Sequence, residues 1–130
     1  MSIDKSTPIL VVDDYAVMLK IVRSILASLG FREIDEAADG RIALAKMRRR
    51  RYGLVISDWD MQPMSGHDLL RAVRAAPELS LTPFIMIAAA PRPENVAAAT
   101  RDGANAFIAK PFSANILMDR IAHACRARAD

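Results

Sequence analysis

Five short apolar runs, each followed by a stretch of helical periodicity, divide this chain from end to end. Ile9-Leu10-Val11-Val12 follows Pro8 as an unbroken apolar run, the signature of a strand covered on both faces. Glu33 to Ala37 is a weaker second strand. Leu54-Val55-Ile56-Ser57, Phe84-Ile85-Met86-Ile87 and Ala106-Phe107-Ile108-Ala109 supply the third, fourth and fifth. Between the first two runs, Met18, Ile21, Val22, Ile25, Leu26 and Leu29 fall at helical spacing, and Gly30 stops that helix at its C′ position. Asp39-Gly40 opens a second helix running to about Arg50. Pro63, Ser65 and Gly66 mark a loop before a third, covering Leu69, Leu70 and Val73. Glu94 to Arg101 is a fourth, closed by Gly103, and Ser113 caps a last helix carrying Ile116, Leu117, Ile121 and Ala124. Five strand–helix units with short loops predict one α/β domain over residues 1–130, a doubly wound five-stranded parallel sheet with five helices. No linker, repeat or further domain is expected.

Composition narrows the setting. With 130 residues, 52% of them hydrophobic, the chain can bury its own core without a disulfide or structural metal. The single cysteine, Cys125, excludes an internal disulfide and a cysteine-based zinc site. The longest apolar run, Phe84 to Ala90, is seven residues, against about 20 for a membrane span. Met1 to Pro8 contains Asp4 and Lys5 and no apolar stretch of the kind a secretory leader needs. A cytoplasmic monomer without membrane contact is the expectation.

The net charge of +3 is local in origin. Arg41 to Arg51 holds six cations and no acid, and the rest of the chain carries 12 cations against 15 acids. Four consecutive arginines on a helix, Arg48 to Arg51, would fan over most of its circumference at about 100° per residue. They are expected to form a solvated helix end near the negative pole of its dipole. A docking or anion-binding patch is the competing reading. Nucleic-acid binding is not expected, since no reading helix or set of stacking aromatics accompanies the run.

In an open parallel sheet the ligand site lies beyond the carboxyl ends of the strands. Those ends carry Asp13 and Asp14 after the first strand, Asp58 after the third, Ala88 after the fourth and Lys110 after the fifth. Three converging carboxylates repel one another unless a cation joins them. Hard oxygen donors with few other ligands on offer favour Mg²⁺ keeping several waters over a caged Ca²⁺ or zinc. A lysine opposite can neutralise a tetrahedral anion. The set fits phosphoryl transfer to a carboxylate.

At these residues the chain resembles the receiver domain of two-component response regulators, especially the stand-alone CheY-like type. The matching pieces are Val11-Val12-Asp13-Asp14, Asp58-Trp59-Asp60-Met61 through Met64-Ser65-Gly66, Asp102-Gly103-Ala104 and Lys110-Pro111-Phe112. The resemblance covers Ile9 to about Ala127 without insertions. The resemblance implies the flavodoxin-like strand order 2-1-3-4-5, for which CheY is itself a standard example. It implies that Asp58 accepts a phosphoryl group from a histidine kinase or phosphotransfer protein. Asp14 and Asp58 would bind Mg²⁺ directly, Asp13 mainly through water, and the Asp60 carbonyl would complete the protein's share. Lys110 would pair with Asp58 and then with its phosphoryl group. The amides of Asp60 and Ala89 would hold phosphoryl oxygens, Gly66 would permit the turn after the acceptor loop, and Pro111 would follow a cis bond. Phe107 would be the aromatic whose rotamer reports activation. An unidentified protein target, in a chemotaxis-like pathway, would read the outcome.

The chain departs from the family at Ala88, where receivers usually carry Thr or Ser. That hydroxyl binds a phosphoryl oxygen and draws the following loop inward. Its loss, at roughly 1.5–3 kcal/mol for a hydrogen bond to a charged group, would disfavour the active state about ten- to a hundredfold. Gln62-Pro63 also shifts the loop proline one place later, which is expected to change only the turn. Asp60 places a carboxylate two residues beyond the acceptor. A competing account is therefore a phosphorylation-independent binding module, using the arginine run to contact an acidic protein or a cyclic dinucleotide. An enzyme reading, on the echo of Asp58-x-Asp60 with haloacid-dehalogenase-type phosphatases, fails because that family places its pair after the first strand. A flavodoxin-like cofactor role fails because Asp13-Asp14 occupies the place of a phosphate-binding loop. His67, His123 and Cys125 read as isolated structural or surface residues, and the seven methionines as core filler.

Overall fold

The computed structural model describes residues 4–129, so residues 1–3 of the N-terminal stretch read above lie outside it. The elements run β1 (Ile9–Val12), α1 (Ala16–Ser28), β2 (Ile34–Ala37), α2 (Gly40–Arg49), β3 (Leu54–Asp58), α3 (Gly66–Ala75), β4 (Phe84–Ala88), α4 (Pro93–Arg101), β5 (Ala106–Ala109) and α5 (Ala114–Ala129). All strand pairs are parallel, in the order β2-β1-β3-β4-β5. The doubly wound α/β fold expected from the alternation is the one observed.

The local signals act through identifiable groups. Asp39 caps α2 by accepting from the N–H groups of Arg41 and Ile42. Ser65 and Asp68 form a reciprocal capping box at α3, satisfying donors that a helix start leaves unpaired. Gly30 and Gly103 take φ of +100° and +106° after α1 and α4, a conformation that only glycine adopts cheaply.

Alternate residues of the strands supply two cores, as a sheet covered on both faces requires. Ile9, Val11, Leu54, Ile56, Ile85 and Ile87 pack with residues of α1 and α5. Leu10, Val12, Val55, Phe84 and Met86 pack with residues of α2, α3 and α4. Cys125 packs against the first of these cores. Among the described residues no helix is long and apolar enough to cross a membrane.

The arginine run corrects one expectation. The four do not share a helix: α2 ends at Arg49, and Arg50 is extended, with φ −141° and ψ 140°. Arg50 turns back to Glu33 at 2.6 Å and Asp35 at 2.8 Å, while the Tyr52 hydroxyl donates to Asp35 at 2.6 Å. Two acids presented by β2 and its approach thus stop the helix before its cations are spent.

Candidate functional site

Parallel register gathers the site. Val12 lies beside Ser57, Asp58 beside Ile87 and Ala88 beside Ala109, so the residues that end β1, β3, β4 and β5 emerge in one row. Backbone bonds hold each exit: the Asp13 N–H donates to Ala37 O, the Trp59 N–H to Ile87 O, and the Lys110 N–H to Ala88 O. Asp13 and Asp58 are buried, at 5% and 7% exposure, and Asp14 stands exposed at the mouth.

Carboxylate oxygens of Asp13, Asp14 and Asp58 lie within 4.8 Å of one another. Lys110 Nζ sits 2.7 Å from Asp58 Oδ1 and 3.8 Å from Asp13 Oδ2. Burial raises the Asp13 carboxyl above its ordinary value, and the nearby charges of Asp58 and Asp14 add to this. The Tyr15 N–H and the Lys110 ammonium oppose it. One ammonium facing three carboxylates leaves the cluster short of positive charge, and its donors are hard oxygens. The residues present therefore fit a small divalent cation of the Mg²⁺ type. A cavity of about 280 Å³, lined by Asp14, Trp59, Asp60, Met61, Gln62 and Ser65, opens beside them.

The remaining expected residues are placed as follows. Asp60 and Ala89 are exposed, and among the described residues neither N–H has a protein acceptor. Ala88 is buried at the last position of β4, presenting a methyl group where the resemblance noted above implies a hydroxyl. The Lys110–Pro111 peptide is cis, and so is Gln62–Pro63. Phe107 is half-buried, its ring 6.0 Å from Trp59 and tilted by 43°.

Two readings change. Gly66 has no positive φ, so it is not needed to make a turn. A Cβ there would lie 2.0 Å from the Asp58 carbonyl oxygen and 2.9 Å from Met86 Sδ. Its role is close approach: the start of α3 rests on the backbone of Asp58. His67 is not isolated either. It stacks on Trp59 at 4.9 Å, and its Nε2 lies 2.6 Å from Asp102 Oδ2, where Arg71 also bonds. Trp59, beside the central carboxylate, is thus linked to the end of α4 through a pair 35 positions apart. No local pattern announces such a pair.

Carboxylates and one lysine beyond the carboxyl ends of a 2-1-3-4-5 parallel sheet are the arrangement of response regulator receiver domains. The chain belongs to this family, whose model matches residues 9–122. It is 39% identical over 119 residues to the chemotaxis protein CheY-3 of Vibrio cholerae serotype O1, covering 92% of each chain. The solved structure of CheY4 from Vibrio cholerae superposes with a TM-score of 0.85 at 32% identity, covering 92% of this chain and 98% of that one. The receiver domain of sensor histidine kinase PA1611 from Pseudomonas aeruginosa PAO1 aligns at 26% identity and a TM-score of 0.84, over 93% and 98% of the two chains. That domain holds a magnesium ion coordinated in its active site cleft. This chain is accordingly a CheY-like response regulator receiver of two-component signalling.

Proposed function

We propose that this chain is a single-domain response regulator that accepts a phosphoryl group on Asp58 and signals by protein–protein interaction. The observation that carries the reading is Asp58 itself, buried at the end of β3 with Lys110 at 2.7 Å and two further carboxylates beside it. A histidine kinase or phosphotransfer protein would be the donor. Asp58 Oδ attacks phosphorus, the P–N bond to the donor imidazole breaks as the P–O bond forms, and the imidazole leaves with its electron pair. Asp14 and Asp58, with Asp13 through water and the Asp60 carbonyl, are the residues that would hold Mg²⁺. Mg²⁺ when bound would offset the negative charge that donor and acceptor bring together. Lys110 exchanges its carboxylate contact for the phosphoryl oxygens, and the free N–H groups of Asp60 and Ala89 supply further donors. The acceptor is consumed in the transfer, so the chain is a signalling partner and not a turnover enzyme. Its setting is the cytoplasm, and output passes through α4, β5 and α5 to a protein target.

Intact mass after treatment with acetyl phosphate and Mg²⁺ tests the reading. Wild type should gain one phosphoryl group and Asp58→Asn should gain none. Failure of wild type to gain mass, even with its kinase supplied, would remove the proposal.

Ala88 favours a second reading, in which the chain binds its target without phosphoryl control. Asp58→Asn that retains full function in cells would support it, and loss of function would exclude it.

A further inference from the structure

At the opposite end of the sheet lies a cavity of about 360 Å³ whose wall is formed by Arg48, Arg49, Arg50 and Arg51, with Tyr52 and Glu78. We infer that this cavity is a binding site for a compact polyanion bearing two or more phosphate groups. It is separate from the Asp58 site, since β3, roughly 13 Å long at 3.3 Å per residue, lies between them.

Charge is the first argument. Arg50 is already matched by Glu33 and Asp35. Among the described residues, the guanidinium groups of Arg48, Arg49 and Arg51 make no ion pair or hydrogen bond. Glu78, the one carboxylate in the wall, also has no ion pair there. Three unmatched guanidinium groups therefore face one acid. The dipole of α2 accounts for cations in its last turn, Arg48 and Arg49. It does not account for Arg51, which lies beyond the helix.

Construction is the second. Arg50 is pinned across the chain to two acids, Tyr52 is buried and bonded to Asp35, and the Arg50 guanidinium lies 5.7 Å from the Tyr52 ring centre. The turn that carries Arg49 and Arg51 is thereby anchored on both sides. Such a turn offers planar forks suited to phosphate oxygens at less ordering cost than a free loop.

Size and surroundings select the ligand. The volume falls within the range of small-molecule sites, about 300–1,000 Å³. Outside Arg41 to Arg51 the chain carries 12 cations against 15 acids, so the rest of the chain offers no further excess of positive charge to an extended polyanion. A compact one meets the four arginines and a single carboxylate, Glu78.

Inorganic pyrophosphate, titrated into ¹⁵N-labelled protein in low salt without divalent cations, is the direct probe. Saturable amide shifts at residues 48–52 and 78–82 are expected, also in Asp58→Asn, which keeps the test independent of phosphorylation. The triple variant Arg48→Gln/Arg49→Gln/Arg51→Gln should weaken binding at least tenfold while keeping the wild-type thermal midpoint. Orthophosphate should bind at least tenfold more weakly. Absent shifts, or shifts that the triple variant leaves unchanged, would overturn the inference. So would equal or tighter binding of hexaglutamate or a short oligonucleotide at these residues, which would make the cavity a protein- or nucleic-acid-docking surface. A single Arg51→Gln variant, which leaves the Arg50 anchor in place, guards against misfolding of the triple one. It should weaken pyrophosphate binding by a smaller factor at the wild-type thermal midpoint, and no loss would also count against the assignment.

Discussion

Asp13 shows how burial and charge set the behaviour of a single residue. Its carboxyl is raised, first by burial and then by Asp58. A raised acid contributes its stability fully below the ordinary value of 3.8 and loses it as pH rises through the folded value. At neutral pH without metal, ionised Asp13 is therefore a cost. Asp13→Asn should raise stability there by about 0.5–2 kcal/mol, the usual scale of such gains. The gain should vanish in acid, as thermal melts at pH 7 and pH 3 would reveal. For the same reason, Mg²⁺ binding by wild type should weaken on acidification before the pH falls to 3.8, because a proton must leave. Fluorescence of Trp59, the only tryptophan, can follow that titration. Tyr52 behaves in the opposite pH range. Burial, reinforced by the Asp35 carboxylate, pushes its phenol up to about 12, so its stabilising effect is complete below the ordinary value of 10 and lost as pH rises through about 12. Ultraviolet titration should show a late phenolate step that Tyr52→Phe removes.

Elements differ in how much of their role local sequence can disclose. The strand ends were legible because a parallel sheet brings carboxyl ends together whatever the details of packing. Asp13, Asp14, Asp58 and Lys110 therefore assembled as the run order implied. Gly66 was legible as a special position but not in its purpose, since closeness of α3 to the Asp58 backbone is a property of packing. Gly66→Ala brings a methyl carbon to 2.0 Å from the Asp58 oxygen, a contact no side-chain adjustment can relieve. It should destabilise by about 1–3 kcal/mol, the range of overpacked sites, and slow acetyl phosphate labelling by shifting the end of β3. Denaturant melts and labelling rates separate the two effects, and wild-type values for both would refute the close-packing role. His67 and Asp102 were illegible for the same reason as Gly66: the rotation of α3 and the end of α4, not spacing, puts them 2.6 Å apart. The arginine run misled because helical periodicity takes no account of Glu33 and Asp35, which draw Arg50 out of α2.

At the scale of the whole molecule, the proposed function raises the question of how an event at Asp58 would reach the α4–β5–α5 surface when Ala88 offers no hydroxyl. Two connections leave the site. One runs along β4 through Ala88 to β5, where the Lys110 N–H to Ala88 O bond joins the two strand exits. The other runs from Trp59 to Phe107 at 6.0 Å and through His67 to Asp102 at the end of α4. The first lacks the oxygen that the resemblance expects to hold a phosphoryl group, while the second depends on packing and needs no hydroxyl. Restoring the oxygen should therefore add to coupling and leave the chemistry unchanged. Ala88→Thr should be labelled by acetyl phosphate at the wild-type rate, yet shift the phosphorylated population toward the active arrangement by about ten- to a hundredfold, as a charged hydrogen bond of roughly 1.5–3 kcal/mol allows. Amide exchange across α4 and β5, compared with and without phosphorylation, reads that population. If wild type already rearranges as fully as Ala88→Thr, the aromatic connection is sufficient by itself and the missing hydroxyl costs the switch nothing. If neither rearranges while both are labelled, chemistry and output are uncoupled at a step beyond β4.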